Sequence, residues 1–280
     1  VAGWDLAKAN KKGDVTIAII DTGIDGGHPD LKAKLLPGYD AYGEGKEYKD
    51  GQGHGTHCAG IAAAIHNDIG VAGFAPDAKL MAVKVLQDTG SGTYAAVADG
   101  IAWAAKSKAD VLSMSLGGPS SSQAITDAVA LAVKNGKLVV AAMGNSGKNI
   151  NTISYPAATP GVFAVGANDI KDKTASFSQV GKHCAISAPG VNIMSTFPTY
   201  QNGIGQTNYG SISGTSMACP GVSGLAALVK SVNPSLKADQ IKKIISDSAV
   251  DLGPKGWDND YGAGKINTLA AVKLAIARRK

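Results

Sequence analysis

The sequence predicts an α/β protein, a three-layer sandwich in which helices cover both faces of a largely parallel sheet. Short apolar runs alternate with helix-length amphipathic segments, and this alternation is typical of parallel strands joined by crossover helices. The chain has 280 residues, of which 44% are hydrophobic, so it is long enough to bury a large core without disulfides. We expect a single domain over residues 1–280, because no internal repeat or long linker divides the sequence.

The strands are predicted from short, mainly apolar runs, since strands that are buried on both faces are rich in apolar residues. In chain order these runs are residues 15–20, 80–86, 111–116 and 138–142. Helices are predicted where apolar residues recur at helical spacing, at residues 93–108 and 122–135, and the second of these stops before Gly136. Two further apolar stretches, residues 61–65 and 222–229, are predicted to be buried helices.

The composition argues against membrane and nucleic-acid partners. The formal net charge is +5 and most lysines are scattered singly, which is typical of a solvated surface. Polar residues interrupt every hydrophobic run before it reaches the ~20 residues of a transmembrane helix. Cys58, Cys184 and Cys219 allow at most one internal disulfide and have no zinc-binding spacing. The cysteines alone leave the redox compartment open.

Two polar residues directly follow predicted strands, which is where ligands bind in open parallel sheets. Asp21 ends the first strand, so its carboxylate is available to a histidine. Asn145 follows the strand at residues 138–142, and its side-chain amide can donate a hydrogen bond to an oxyanion. Each residue is also compatible with an ordinary turn, because Asp, Asn and Gly favour turns.

A candidate base and a candidate nucleophile each precede a predicted helix. His54 lies in the segment Gly-His-Gly-Thr-His at residues 53–57. Ser216 lies just before the apolar helix at residues 222–229, and free N–H groups at a helix start can stabilise an oxyanion. A structural histidine, a metal site formed with His57, and a serine that only caps its helix are the alternatives.

These four residues and the segments around them resemble the subtilisin-like serine proteases, or subtilases. The similarity runs from about Trp4 to Ile266 and is carried by Asp21-Thr22-Gly23-Ile24, by residues 54–60, by residues 142–145, and by Gly214-Thr215-Ser216-Met217-Ala218. The thermitase-like and proteinase K-like branches, which share the cysteine after Gly-Thr-His, are the most similar.

The resemblance implies a subtilisin-like fold and a serine endopeptidase of the peptidase S8 type. Ser216 would attack the scissile carbonyl, His54 would take its proton, and Asp21 would fix the histidine tautomer. Asn145 and the backbone N–H of Ser216 would hold the oxyanion on the way to an acyl-enzyme.

The substrate cleft is implied by the same resemblance. Its residues come mainly from a segment that pairs with an extended peptide and from the two walls of the primary pocket. They are Gly90, Ser91, Gly92, Tyr94, Ser115, Leu116, Gly117, Ala142, Gly144 and Ser154. Main-chain pairing recognises backbone more than sequence, so we expect broad specificity with a preference for apolar or aromatic residues before the cut.

A structural calcium ion is also implied by the resemblance. The ligands would be the side chains of Asp30 and Asn67 and the carbonyl groups of Ile65, Ile69 and Val71, and such a set of oxygen donors suits Ca²⁺. The family's further ligand near the amino terminus has no evident counterpart in this sequence. An ordinary surface loop is the alternative.

The resemblance further implies a secreted, extracellular enzyme. It would act as a monomer on protein and peptide substrates and would meet its own propeptide during maturation. The sequence starts at Val1 without a basic, apolar leader. We therefore expect the mature enzyme, from which signal and propeptide have been removed.

Two positions depart from the family pattern. Gly221 stands after Pro220 where the family usually has histidine, which affects the packing behind Ser216. Met143 replaces the usual small residue beside Asn145, and we expect it to narrow or reshape the primary pocket.

Two other functions stay open at the level of sequence. Asp-Thr-Gly occurs at both Asp21 and Asp88, as in pepsin-like proteases, although the alternation of strands and helices argues against that β-rich class. The second alternative is a subtilase-like domain that has lost its activity and serves as a binding module.

Overall fold

A computed structural model describes residues 2–43, 48–148 and 152–279 of the chain. The helices are α1 (Ala2–Asn10), α2 (His54–Ala63), α3 (Tyr94–Lys106), α4 (Gln123–Lys134), α5 (Thr215–Val232), α6 (Ala238–Asp247) and α7 (Thr268–Ala277), with a short 3₁₀ turn at Lys32–Lys34. The strands are β1 (Thr16–Asp21), β2 (Leu35–Asp40), β3 (Lys79–Lys84), β4 (Val111–Met114), β5 (Leu138–Ala142), β6 (Phe163–Asn168), β7 (Cys184–Pro189), β8 (Ile193–Thr196) and β9 (Tyr209–Ile212).

A seven-stranded sheet forms the centre of the fold, with the strand order β2-β3-β1-β4-β5-β6-β7. Every strand pairing within this sheet is parallel in the described residues. The separate strands β8 and β9 form an antiparallel hairpin. The α/β fold with a largely parallel sheet is therefore confirmed.

Each face of the sheet is covered by its own layer of helices, because successive side chains of a buried strand point to opposite sides. In β1, Ile17 and Ile19 pack into the core that also contains residues of α2 and α5. Ala18 and Ile20 pack into the core that contains residues of α3 and α4. The result is the three-layer arrangement that the sequence predicted.

The order of the strands reverses between β1 and β4, since the chain adds β3 and β2 on one side of β1 and β4 to β7 on the other. Such a switch point leaves a crevice beyond the carboxyl ends of the two central strands. Asp21 is the last residue of β1, and Ser115 follows the end of β4 directly. The fold thus brings these two segments to one edge of the sheet.

All four predicted strands and both amphipathic helices are present, with ends that differ by a few residues. The helix predicted at residues 61–65 is the C-terminal part of α2 and ends at Ala63, because the chain turns away after it. The stretch at residues 222–229 is the middle of α5. In the described residues no helix is both long enough and apolar enough to cross a bilayer.

Candidate active site

A hydrogen bond joins the end of β1 to the first residue of α2. The His54 Nδ1 atom lies 2.8 Å from Asp21 Oδ1. The Asp21 side chain is fully buried, whereas 19% of the His54 side chain is exposed, at the cleft described below. Gly55 allows this approach, because a Cβ atom there would lie 2.1 Å from the carbonyl oxygen of Gly23. Asp21 therefore lies behind the imidazole, and the imidazole faces solvent.

The surroundings of His54 set its proton affinity. Burial lowers the pKa of the imidazole, but the negative charge of Asp21 acts in the opposite direction, and the pKa lies well above its usual value. The thiol of Cys58 lies 3.9 Å from His54 Nδ1, and burial raises the pKa of that thiol. Asp21 is thus the charged partner that stabilises a protonated His54.

Ser216 lies in the first turn of α5, and its carbonyl group lacks the usual helical hydrogen bond. Pro220 lies within the helix and has no N–H group, so the carbonyl of Ser216, four residues earlier, loses its helical partner. The Ser115 hydroxyl donates to this carbonyl over 2.8 Å, and the Cys58 sulfur lies 3.5 Å from it. Cys58 therefore contacts both His54 and Ser216, which makes them neighbours.

The Ser216 hydroxyl donates to the carbonyl of Ser115 over 3.2 Å. Among the described residues it has no hydrogen bond to His54. Serine hydroxyls turn easily about the Cα–Cβ bond, and catalytic hydrogen bonds often tighten only when substrate is bound. The Ser216 hydroxyl and the His54 imidazole thus lie at the same cleft without a direct hydrogen bond between them in the described residues.

The side-chain amide of Asn145 is held in one orientation by Thr215. Asn145 Oδ1 accepts hydrogen bonds from the backbone N–H and from the hydroxyl of Thr215, both at 2.9 Å. A backbone N–H can only donate, so the oxygen must be on this side and the NH₂ group on the other. Together with the N–H groups at the start of α5, that NH₂ group can bind an oxyanion.

His54, Ser216 and Asn145 line one cleft of about 740 Å³. The structure places all ten predicted substrate residues on its walls, namely Gly90, Ser91, Gly92, Tyr94, Ser115, Leu116, Gly117, Ala142, Gly144 and Ser154. Within the described residues its lining includes no Asp, Glu, Lys or Arg. The cleft is thus nearly neutral and can take apolar side chains.

Comparison with known proteins agrees with this geometry. Residues 12–264 match the profile of the subtilase family, Peptidase S8. The chain belongs to the subtilase family. It is 46% identical over 270 residues to subtilisin DY of Bacillus licheniformis, covering 95% of this chain and 94% of that one. It is 46% identical over 263 residues to subtilisin Savinase of Lederbergia lenta, covering 92% and 91%.

A third relative is longer than the matched region. Subtilisin E of Bacillus subtilis strain 168 is 44% identical over 266 residues, which cover 93% of this chain and 66% of that protein. The subtilase described here is accordingly a subtilisin-like serine endopeptidase, which is a hydrolase.

The two departures from the family pattern have structural explanations. Gly221 leaves room for Phe74, since a Cβ atom at Gly221 would lie 3.2 Å from the Phe74 ring. The expectation that Met143 narrows the pocket is not supported, because its side chain is fully buried in the core with α3 and α4 and does not line the cleft. Successive strand residues point to opposite faces, so Met143 points away from the pocket that Ala142 and Gly144 border.

The alternatives to a serine triad do not fit this subtilase. His57 does not form a metal site with His54, because its Nε2 atom lies 3.2 Å from the carbonyl of Gly210 on β9. Asp88 does not pair with Asp21 as in pepsin-like proteases, since its side chain is 66% exposed and forms an ion pair with Lys84.

Two of the residues predicted to bind calcium, Asn67 and Val71, contact the buried carboxylate of a third, Asp30. Asp30 Oδ1 accepts a hydrogen bond from the side-chain amide of Asn67 over 3.0 Å, and Oδ2 accepts one from the backbone N–H of Val71 over 3.2 Å. The hydroxyl of Tyr209 also lies at this carboxylate. Among the described residues, no basic side chain forms an ion pair with Asp30.

Several residues of this site were missed by sequence reasoning. Gln179 lines the cleft, where its amide nitrogen donates to Thr152 Oγ1 over 2.9 Å and its backbone N–H donates to the carbonyl of Gly144. The role of Thr215 in orienting Asn145 was also missed. No local pattern marks these residues, because their partners lie 27 to 70 residues away in the chain.

Proposed function

We propose that this subtilase cleaves peptide bonds with broad specificity through an acyl-enzyme formed on Ser216. The observation that carries the proposal is the 2.8 Å hydrogen bond between His54 and a fully buried Asp21, in a cleft that Ser216 also lines. A histidine held in this way can take a proton from serine at one nitrogen while its other nitrogen stays bonded to the carboxylate.

In the first half of the reaction, Ser216 Oγ attacks the scissile carbonyl carbon and its proton moves to His54 Nε2. The negative charge on the carbonyl oxygen is held by the NH₂ group of Asn145 and the N–H of Ser216. His54 then gives the proton to the leaving amine as the C–N bond breaks, which leaves an ester on Ser216. A water molecule repeats these steps and releases the acid.

The specificity proposal rests on the lining of the cleft. A pocket without charged side chains cannot offset the desolvation of a charged substrate residue, but it can bury an apolar one. The glycine-rich segment at residues 90–92 supports pairing with an extended substrate through main-chain hydrogen bonds. We therefore propose a preference for Phe, Leu or Tyr before the cut.

A panel of peptide amides that differ only in this residue tests the preference. We expect kcat/KM to be at least about 10-fold higher for Phe, Leu and Tyr than for Lys and Asp. Ser154→Asp should raise the relative rate for Lys by placing a carboxylate in the pocket, whereas Ser121→Asp on the surface should not. Best cleavage after Lys or Asp by the unmodified protein would contradict the proposal.

We also propose a structural calcium ion at the loop around Asp30. The chemistry of the donors fits, since a buried carboxylate without a basic partner in the described residues lies beside an amide and a loop rich in carbonyl groups. The side chains of Asp30 and Asn67 and the carbonyl groups of Ile65, Ile69 and Val71 would hold the ion. Its role would be to offset the charge of Asp30 and stabilise the loop.

Removal of calcium should lower the thermal midpoint by about 5–10 °C, because an ion present at 100 times its Kd stabilises a protein by roughly 3 kcal/mol. The measurement is calorimetry with and without chelator, in a Ser216→Ala background that prevents self-digestion. Asp30→Asn should abolish the calcium-dependent shift, and Asp40→Asn, which changes another buried carboxylate, should retain it. An equal midpoint with chelator and with calcium would disprove this site.

The remaining proposals follow from family membership. We propose that the protein is secreted, acts outside the cell as a monomer on protein and peptide substrates, and is processed from a precursor whose propeptide binds it. The modest and scattered positive charge is consistent with the absence of a nucleic-acid partner.

A further inference from the structure

A second buried carboxylate, besides that of Asp21, lies at the start of the helix that carries His54. Asp50 has no exposed surface, and within the described part of the chain it forms no ion pair with a basic side chain. Burying a carboxylate is costly unless hydrogen bonds replace its hydration. The hydrogen-bond donors that replace this hydration show which parts of the protein Asp50 holds in place.

Five donors converge on the two oxygen atoms of Asp50. Oδ1 accepts from the Thr22 hydroxyl at 2.8 Å, from the N–H of Gln52 at 3.1 Å and from the N–H of Gly53 at 2.7 Å. Oδ2 accepts from the N–H of Thr56 at 2.8 Å and from its hydroxyl at 2.6 Å. Asp50 acts only as an acceptor in these bonds, as an ionised carboxylate does.

Three of these donors, the N–H of Gly53 and the N–H and hydroxyl of Thr56, fix the start of the helix that carries His54. The N–H of Gly53 lies directly before α2 and that of Thr56 lies in its first turn, where backbone donors have no helical partner and a negative charge is favourable. Gln52 adds to this, since its side-chain oxygen accepts the N–H of His54 over 2.9 Å. The carboxylate of Asp50 thus anchors the backbone from which the imidazole projects.

The fourth donor connects Asp50 to the catalytic carboxylate. The Thr22 hydroxyl donates a hydrogen bond to Asp50 and accepts one from the N–H of Gly55 over 2.9 Å. The backbone N–H of Thr22 donates to Asp21 Oδ1 over 2.8 Å. The same Asp21 oxygen accepts from His54. A continuous set of short hydrogen bonds therefore joins Asp50 to both members of the Asp21 and His54 pair.

We infer that Asp50 is a positioning residue, which holds the backbone of Asp21 and His54 so that their hydrogen bond is formed before substrate binds. The inference rests on the proposed role of this pair in the triad. A neutral amide cannot replace the carboxylate, because its NH₂ group would face either the donors from Gly53 and Thr22 or those from Thr56. Small displacements of catalytic groups lower the reaction rate strongly.

The test compares Asp50→Asn with Asp40→Asn, a control in which a buried carboxylate that accepts the N–H of Tyr42 is changed in the same way. We expect Asp50→Asn to lower kcat by about 10- to 100-fold with KM within about 2-fold of the unmodified enzyme. The rate at which a fluorophosphonate labels Ser216 should fall in parallel. Asp40→Asn should leave both rates within about 2-fold.

Two more conservative substitutions, both at Thr22, test the inference if Asp50→Asn does not fold. Thr22→Val keeps the shape of the side chain but removes the hydroxyl, whereas Thr22→Ser keeps the hydroxyl. We expect kcat to fall at least 5-fold in Thr22→Val and to recover in Thr22→Ser, with folded protein confirmed by circular dichroism. If Asp50 had only a structural role, each variant would have a lower thermal midpoint, but kcat would not fall while KM stayed the same.

The inference is overturned if folded Asp50→Asn, or folded Thr22→Val, retains kcat within 2-fold of the unmodified enzyme. Failure of the proposed function looks different, since the unmodified protein would then show no hydrolysis that depends on Ser216. The activity of the unmodified protein and of Ser216→Ala therefore separates the two outcomes.

Discussion

Ser216→Ala is expected to lower kcat for peptide hydrolysis by about 10⁶-fold, the size of the loss known for the same change in subtilisin. The substitution removes the oxygen that forms the acyl-enzyme, while His54 and Asp21 keep their hydrogen bond. What activity remains should come from the cleft and the oxyanion donors, which are still able to bind the substrate and polarise its carbonyl. Hydrolysis of a peptide amide and of casein measures the loss.

The matched control for this variant is Ser121→Ala, which changes an exposed serine. It should leave kcat unchanged, and a fluorophosphonate should label the control at Ser216 but not label Ser216→Ala. Retention of full activity by Ser216→Ala would exclude the serine mechanism. Absence of hydrolysis by the unmodified protein, measured beside an active subtilase, would instead favour a binding module.

The parts of the fold that sequence could predict are those with a strong local signal. The run before Asp21 is apolar except for Thr16, and β1 is buried along its whole length, so this strand could be recognised from its own residues. The strands β6 and β7 and the helices α6 and α7 were not predicted. Glycine, proline and polar residues interrupt their surroundings, and their stability comes from packing against α5 and the sheet rather than from local pattern.

In the candidate site, too, residues with a strong local signal were predicted, and residues that depend on remote partners were not. Asp21, His54, Asn145 and Ser216 were found because each lies in a short segment with a characteristic composition. The residues that orient them were not found, since Thr22 meets Asp50 and Thr215 meets Asn145 only after the sheet has formed. Positions of this kind have no signature in a single sequence, because their hydrogen-bond partners are remote in the chain.

The expectation for Met143 failed for a different physical reason. It came from the position of Met143 near Asn145 in the chain, but Met143 directly follows Ala142, which lines the cleft, and neighbouring residues of an extended segment point to opposite faces. The pocket is bordered instead by Ser154 and Gln179. A Cβ atom at Gly117 would lie 2.3 Å from Ser154 Oγ, so glycine is needed where these walls approach each other.

Asp21→Asn is expected to lower kcat by about 10⁴-fold, as the same change does in serine proteases with this triad. The neutral amide no longer stabilises the imidazolium that forms when His54 takes the proton of Ser216. Either the NH₂ group or the oxygen of the new amide must also take the position of Asp21 Oδ2. This position is buried and has no hydrogen-bond partner among the described residues. The effect should appear in kcat, since Asp21 does not line the cleft.

The pH profile distinguishes loss of charge from loss of structure. His54 must be neutral to act as a base, so kcat/KM of the unmodified enzyme should rise with pH through the raised pKa of His54 and reach its plateau above it. In Asp21→Asn the effect of burial remains while the opposing charge is gone, so the pKa of His54 falls and the acid limb moves to lower pH.

Asp88→Asn is the matched control for this shift, because Asp88 occupies the same local sequence, Asp-Thr-Gly, but its carboxylate is 66% exposed and pairs with the buried Lys84. Asp88 does not line the cleft, so kcat should change less than 3-fold and the acid limb should stay in place. An Asp21→Asn enzyme whose acid limb does not move, or moves to higher pH, would show that the charge of Asp21 does not control the proton on His54. The carboxylate would then act only by orienting the ring.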